Sequence, residues 1–131
     1  MNLFKLLPAK TVYAHCDLPC GVYDPAQARI EAESVMSCMK QYQSHPDDLV
    51  FRTRAIIIKE QRAELVKHHL WVLWSDFFKP ETMEKFPQLH DLFWRATKQA
   101  SVTKHSVDPA EGQKLLDMID EIAVFAEKQT H

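Results

Sequence analysis

From Asp48 to Phe78 the chain runs for 31 residues without a glycine or a proline. A stretch of that length, free of the two residues that punctuate regular structure, reads as one long helix stopped by Lys79-Pro80. Only two glycines occur in all 131 residues, too few for the many tight turns of a β-sandwich or small barrel. The pattern predicts an all-α fold. Asp24-Pro25-Ala26-Gln27 places an N-cap acid before a proline at the first helical position, with Gln three residues after the cap, and Asp108-Pro109-Ala110-Glu111 repeats the device. One helix is therefore expected from Pro25 to about Gln43, ending before Ser44-His45-Pro46-Asp47, and another from Pro109 to about Lys128. A short helical piece around Glu81 to Lys85 precedes Pro87, which opens a further helix to about Thr103. Apolar residues recur at helical spacing, as in Leu115, Ile119, Ile122 and Ala126. Four main helices with short connections predict an up-down-up-down four-helix bundle.

With 46% hydrophobic residues, the chain can bury one sizeable core, and its length suits one domain. A formal net charge of −2 leaves no basic excess to neutralise nucleic-acid phosphates. No segment approaches the roughly 20 apolar residues of a membrane span. Three cysteines, an odd number, give no disulfide framework, which fits cytoplasmic residence. The first 14 residues, MNLFKLLPAKTVYA, end in a Val12-Tyr13-Ala14 that is faintly similar to a signal-peptidase site. Their apolar run from Leu3 to Leu7 is short and broken by Lys5. The segment reads as a signal, a propeptide or a simple terminal tail, and composition alone fits all three.

Two charges interrupt apolar stripes. Along one face of the long helix come Phe51, Ala55, Ile58, Arg62, Leu65, His69 and Val72, and along the first helix Ala28, Glu31, Val35, Cys38 and Tyr42. An acid and a guanidinium on core faces are costly unpaired, so Glu31 and Arg62 are expected to meet each other or something polar near the segment from His15 to Cys20. The alternative is that both helices are slightly rotated and the charges snorkel to water.

The chemistry concentrates in His15-Cys16-Asp17-Leu18-Pro19-Cys20, followed at once by Gly21-Val22-Tyr23. Two thiols four residues apart can reach one metal ion, Pro19 stiffens the loop between them and Gly21 lets the chain bend away. Thiolates with nitrogen donors favour zinc, copper, nickel or iron–sulfur chemistry over magnesium or calcium. Structural zinc takes four side-chain ligands, but Cys38 is remote and no second compact Cys/His pair exists. Cleavage between Ala14 and His15 would add a terminal amine beside Cys16. Amine, Cys16 amide and two thiolates then form a planar N2S2 set suited to Ni(II) or Cu(II), with the His15 imidazole as an axial ligand. A redox thiol pair or two ordinary thiols are the plainer readings of the same residues.

The run HCDLPCGVYDPAQARIEAESV, from His15 to Val35, resembles the start of mature nickel-containing superoxide dismutases, whose metal-binding hook is HCDLPCGVY. The resemblance continues through Thr53-Arg54-Ala55, Ile58-Lys59-Glu60-Gln61-Arg62-Ala63-Glu64-Leu65, Lys67-His68-His69, Val72-Leu73-Trp74-Ser75-Asp76, Phe78-Lys79-Pro80, Asp108-Pro109-Ala110 and Gly112-Gln113-Lys114. It implies a removable leader over residues 1–14, cut by a processing protease, and a catalytic four-helix domain over 15–131 with its hook at 15–23. It further implies a homohexamer with one nickel per hook, turning superoxide into dioxygen and hydrogen peroxide by Ni(II)/Ni(III) cycling. The nickel ligands carried over are the His15 amine and imidazole, the Cys16 amide and thiolate, and the Cys20 thiolate. Glu31 then lies against the His15 ring with Arg62 beyond it, Lys79 stands near the site mouth, and Tyr23 offers a phenol for proton delivery. Asp17 is expected to shape the loop. Position 77 departs from the pattern, with Phe77 where some family members carry a tyrosine. A nickel or copper binding or delivery module without turnover is the alternative function. A helical protein with a redox-active thiol pair is a third.

Overall fold

The computed structural model describes residues 22–130. The leader, the hook residues His15, Cys16, Asp17 and Cys20, and the terminal His131 lie outside the described residues. Five α-helices follow in order: α1 (Ala26–Ser44), α2 (Leu49–Val72), α3 (Pro80–Lys85), α4 (Gln88–His105) and α5 (Pro109–Thr130). A π-helical turn, Leu73–Phe77, extends α2 to the Lys79-Pro80 stop. The four long helices pack in a ring, α1 on α2 and α5, and α4 on α2 and α5. Chain neighbours joined by short loops are therefore spatial neighbours, as an up-down-up-down bundle requires.

The helix starts form as the caps predict. Asp24 accepts from the Ala26 amide at 2.9 Å and Asp108 from the Ala110 amide at 3.0 Å. Asp48 caps α2 by accepting from the Phe51 amide at 2.9 Å. The main core joins Ala28 and Ala32 of α1, Val66 and Leu70 of α2, Leu89, Leu92 and Ala96 of α4, and Leu115, Ile119 and Ile122 of α5. Val35 and Met39 of α1 close a smaller cluster over Ala63. At Gly112 the α1–α5 contact is tight, since an added Cβ would lie 3.1 Å from the Met36 Cβ and Met36 would have to give by a few tenths of an ångström.

The buried lines on α1 and α2 differ in phase from the apolar stripes of the sequence. On α2 the buried residues are Ala55, Lys59, Ala63, Val66 and Leu70, while Ile56, Ile57, Ile58 and Leu65 are exposed. On α1 they are Ala28, Ala32, Val35 and Met39. Lys59 is 2% exposed, and its Nζ donates to the Thr103 and Lys104 carbonyls at the end of α4. Those carbonyls have no partner within their own helix, so the ammonium caps α4 from across the bundle. Trp71, Trp74 and Trp94 lie at the surface rather than in the core. No described helix is long and apolar enough to cross a membrane.

Candidate metal centre

Val22 and Tyr23 carry the chain from the hook into α1. Tyr23 is half-buried against the main core, its ring 5.8 Å from the Phe77 ring at an interplanar angle of 41°. Phe77 in turn meets Phe78, and Phe78 meets Phe93, so the end of the π-helical turn is anchored by an aromatic chain reaching α4. A cleft of about 310 Å³ opens beside this contact, walled by Tyr23, Arg29, Phe77, Ala123, Ala126 and Glu127 among others. Tyr23 therefore rests where α1, the π-helical turn and the last turns of α5 converge.

Along α1, roughly 8 Å of helix rise beyond its first residue, Glu31 meets Arg62 of α2. The Arg62 Nη1 donates to Glu31 Oε2 at 3.2 Å and to Oε1 at 3.4 Å. The Glu31 side chain is 16% exposed and that of Arg62 42%. Both readings of the charged stripes thus hold in part: the charges pair, and they do so at the margin of the core with Arg62 reaching solvent. One nitrogen serves both carboxylate oxygens, although an ionised carboxylate has about four acceptor positions. Among the described residues Arg62 is the only hydrogen-bond partner of Glu31, which leaves it capacity for a further donor.

Lys79 is the N-cap of α3, with an exposed side chain and an extended backbone. Its amide and the neighbouring Phe77 carbonyl fall between helices, and a residue absent from the sequence expectations takes both. Gln129, on the last turn of α5, accepts from the Lys79 amide at 2.8 Å and from the Thr82 hydroxyl at 2.7 Å, and donates to the Phe77 carbonyl at 2.9 Å. Nothing in the periodicity of α5 marks Gln129, because a polar residue near a helix end is unremarkable in sequence. Cys38 stands apart, half-buried beside Arg54 and Ile58, and burial pushes its thiol above the ordinary value.

Residues 10–129 match the sequence profile of the family described as nickel-containing superoxide dismutase. A nickel superoxide dismutase from Streptomyces seoulensis is 61% identical over 115 residues, covering 88% of this chain and 87% of its own. One from Streptomyces coelicolor shares the same identity and coverage. The chain belongs to the nickel-containing superoxide dismutase family. A native nickel superoxide dismutase structure superposes with a TM-score of 0.86 at 57% identity, covering 88% of this chain and 98% of that one. A second, with nickel ligation corresponding to the oxidised state, gives 0.86 at 58% over the same shares.

As a nickel-containing superoxide dismutase, the chain needs a soft-donor site. Among the described residues no group of three or more His, Cys, Asp and Glu could hold a metal ion. The donor set of His15, Cys16 and Cys20 has the thiolate and nitrogen chemistry that nickel accepts. A ligating imidazole is ordinarily oriented by a carboxylate on its other nitrogen, and the Glu31 carboxylate has the acceptor capacity for such a role. The described residues thus place Tyr23 on Phe77 and Glu31 on Arg62, with Lys79 two residues beyond Phe77.

Proposed function

We propose that this chain is a nickel-dependent superoxide dismutase whose metal is held by the His15 amine and imidazole, the Cys16 amide and thiolate, and the Cys20 thiolate. What most supports the ligand assignment is the intact HCDLPCGVY run leading directly into a bundle of the nickel-containing superoxide dismutase family. Bound there, nickel supplies one-electron chemistry between Ni(II) and Ni(III), which thiolate and amide donors bring within reach of superoxide. Across the full reaction two superoxide anions and two protons give one dioxygen and one hydrogen peroxide, one anion being oxidised and the other reduced.

The remaining residues bind, orient and move protons. Glu31 accepts from the His15 ring and fixes its orientation, and the hydrogen bonds from Arg62 hold the Glu31 carboxylate in place. The Lys79 ammonium attracts an anionic substrate to a protein whose overall charge is negative. Tyr23 offers a phenolic proton at the base of the hook, while Phe77, facing it, has no hydroxyl to offer. Asp17 shapes the loop between the two thiolates. The same reading includes removal of residues 1–14 by a processing protease, assembly as a homohexamer and residence in the cytoplasm.

Protein beginning at His15 should bind one nickel per chain and remove superoxide. Cys16→Ser and Cys20→Ser should each abolish both properties, as measured by metal content and superoxide decay. A serine variant that kept its turnover would overturn the ligand assignment.

A further inference from the structure

We propose that Gln129 is a positioning residue for the site mouth: it fixes the segment from Phe77 to Thr82 and thereby the direction of the Lys79 cation. The inference rests on the reading of Lys79 as the group that attracts superoxide.

Two extended residues, Phe78 and Lys79, separate the π-helical turn from α3. Between two helix ends the backbone has donors and acceptors without partners of their own. The Phe78 amide is satisfied by the Leu73 carbonyl at 3.0 Å, and the Lys79 carbonyl accepts from the Thr82 and Met83 amides. The Lys79 amide and the Phe77 carbonyl are among the groups without a backbone partner. In a capping box a Glu or Gln at the third helical position would reach back to the N-cap amide. Here that position is Thr82, whose hydroxyl instead donates to Gln129, and Gln129 accepts from the amide in its place. The other end of the same side-chain amide holds the Phe77 carbonyl. One side chain from α5 therefore ties down Phe77, which faces Tyr23, and Lys79, whose side chain projects to solvent.

Lysine is a poor choice of N-cap, since it cannot accept from the first-turn amides, and no side-chain cap bond forms at Lys79. A cation at that position is therefore unexplained by helix stability. The external clamp from Gln129 supplies the local order that Lys79 does not supply for itself. Lysine side chains are flexible, so a fixed backbone beneath the ammonium sets the region its charge can sample.

The test uses nickel-loaded enzyme beginning at His15 and measures the rate constant for superoxide removal against ionic strength. Lys79→Gln should lower the low-salt rate roughly three- to tenfold and flatten the salt dependence. Gln129→Met, which keeps side-chain length without hydrogen bonds, should reproduce a substantial part of that flattening with nickel content unchanged. In the Lys79→Gln background the same substitution should leave the rate where it was. Wild-type salt dependence in Gln129→Met overturns the inference, as does an equal loss in both backgrounds, which would mark a merely structural role. If Gln129→Met yields no folded enzyme, Thr82→Val removes one bond to the clamp and faces the same two criteria. A Lys79→Gln enzyme with unchanged salt dependence overturns the inference while leaving nickel-dependent turnover standing. Absence of such turnover in the parent enzyme would defeat the underlying reading instead.

Discussion

Glu31 illustrates how much one side chain can depend on another. Its carboxylate is mostly withdrawn from water and its hydrogen bonds among the described residues run to a single Arg62 nitrogen. Removing the guanidinium leaves that charge without its partner, and the penalty falls on the group that remains. Because Arg62 is 42% exposed, solvent replaces part of the lost interaction. Arg62→Ala should therefore cost on the order of 1 kcal/mol of folding stability, together with a loss of activity through misorientation of His15. Thermal unfolding and superoxide decay on one preparation check both, and unchanged values of the two would show that the pair holds nothing in place. Cys38 obeys the opposite logic. Burial raises its pKa and keeps the thiol protonated at neutral pH, so it packs as a small apolar group rather than a nucleophile.

At the level of elements, α2 shows why some features are legible in sequence and others are not. Its start and the Lys79-Pro80 stop are readable because an N-cap acid and a proline act locally. Its rotation is not, since the buried line runs through Ala55, Lys59 and Ala63, while the conspicuous Ile56-Ile57-Ile58 run faces outward. Apolar counting follows the isoleucines, whereas packing selects residues small enough to let α1 approach. The pairing of Glu31 with Arg62 was legible because charges on near-core faces have few alternatives. Lys59 was not, because its partners are backbone carbonyls of α4, which sequence does not display. Lys59→Met should cost about 2 kcal/mol at neutral pH by leaving two carbonyls without a donor. Burial also holds the Lys59 pKa below its ordinary 10.5. Between those values the unfolded chain binds the proton more tightly than the folded one, so this residue's contribution to stability rises with pH. Glu60 and Cys38, which act on Lys59 electrostatically, are present in both proteins. The stability gap between parent and Lys59→Met should thus widen as pH rises toward 10.5, and a gap that narrows in urea titrations would reverse the assignment.

For the whole molecule, the proposed ligand set keeps the metal site separate from the described core. Among the described residues the main core is continuous through α1, α2, α4 and α5 and is built of apolar side chains. The proposed ligands instead come from a short run ahead of α1, with one donor that exists only when His15 is the first residue. A single upstream residue converts that amine into a peptide nitrogen, which is a poor donor until it loses its proton. Retaining Ala14 should therefore leave helical content and the unfolding midpoint nearly unchanged while nickel affinity falls at least tenfold, the scale on which disturbing a metal site's support is felt. Most superoxide removal should vanish with it. Intact mass, nickel content and circular dichroism on the two proteins make the comparison. Equal nickel and equal turnover in both would sink the amine ligand, whereas a collapse of the helices with the extra residue would show that bundle and hook fold as one unit.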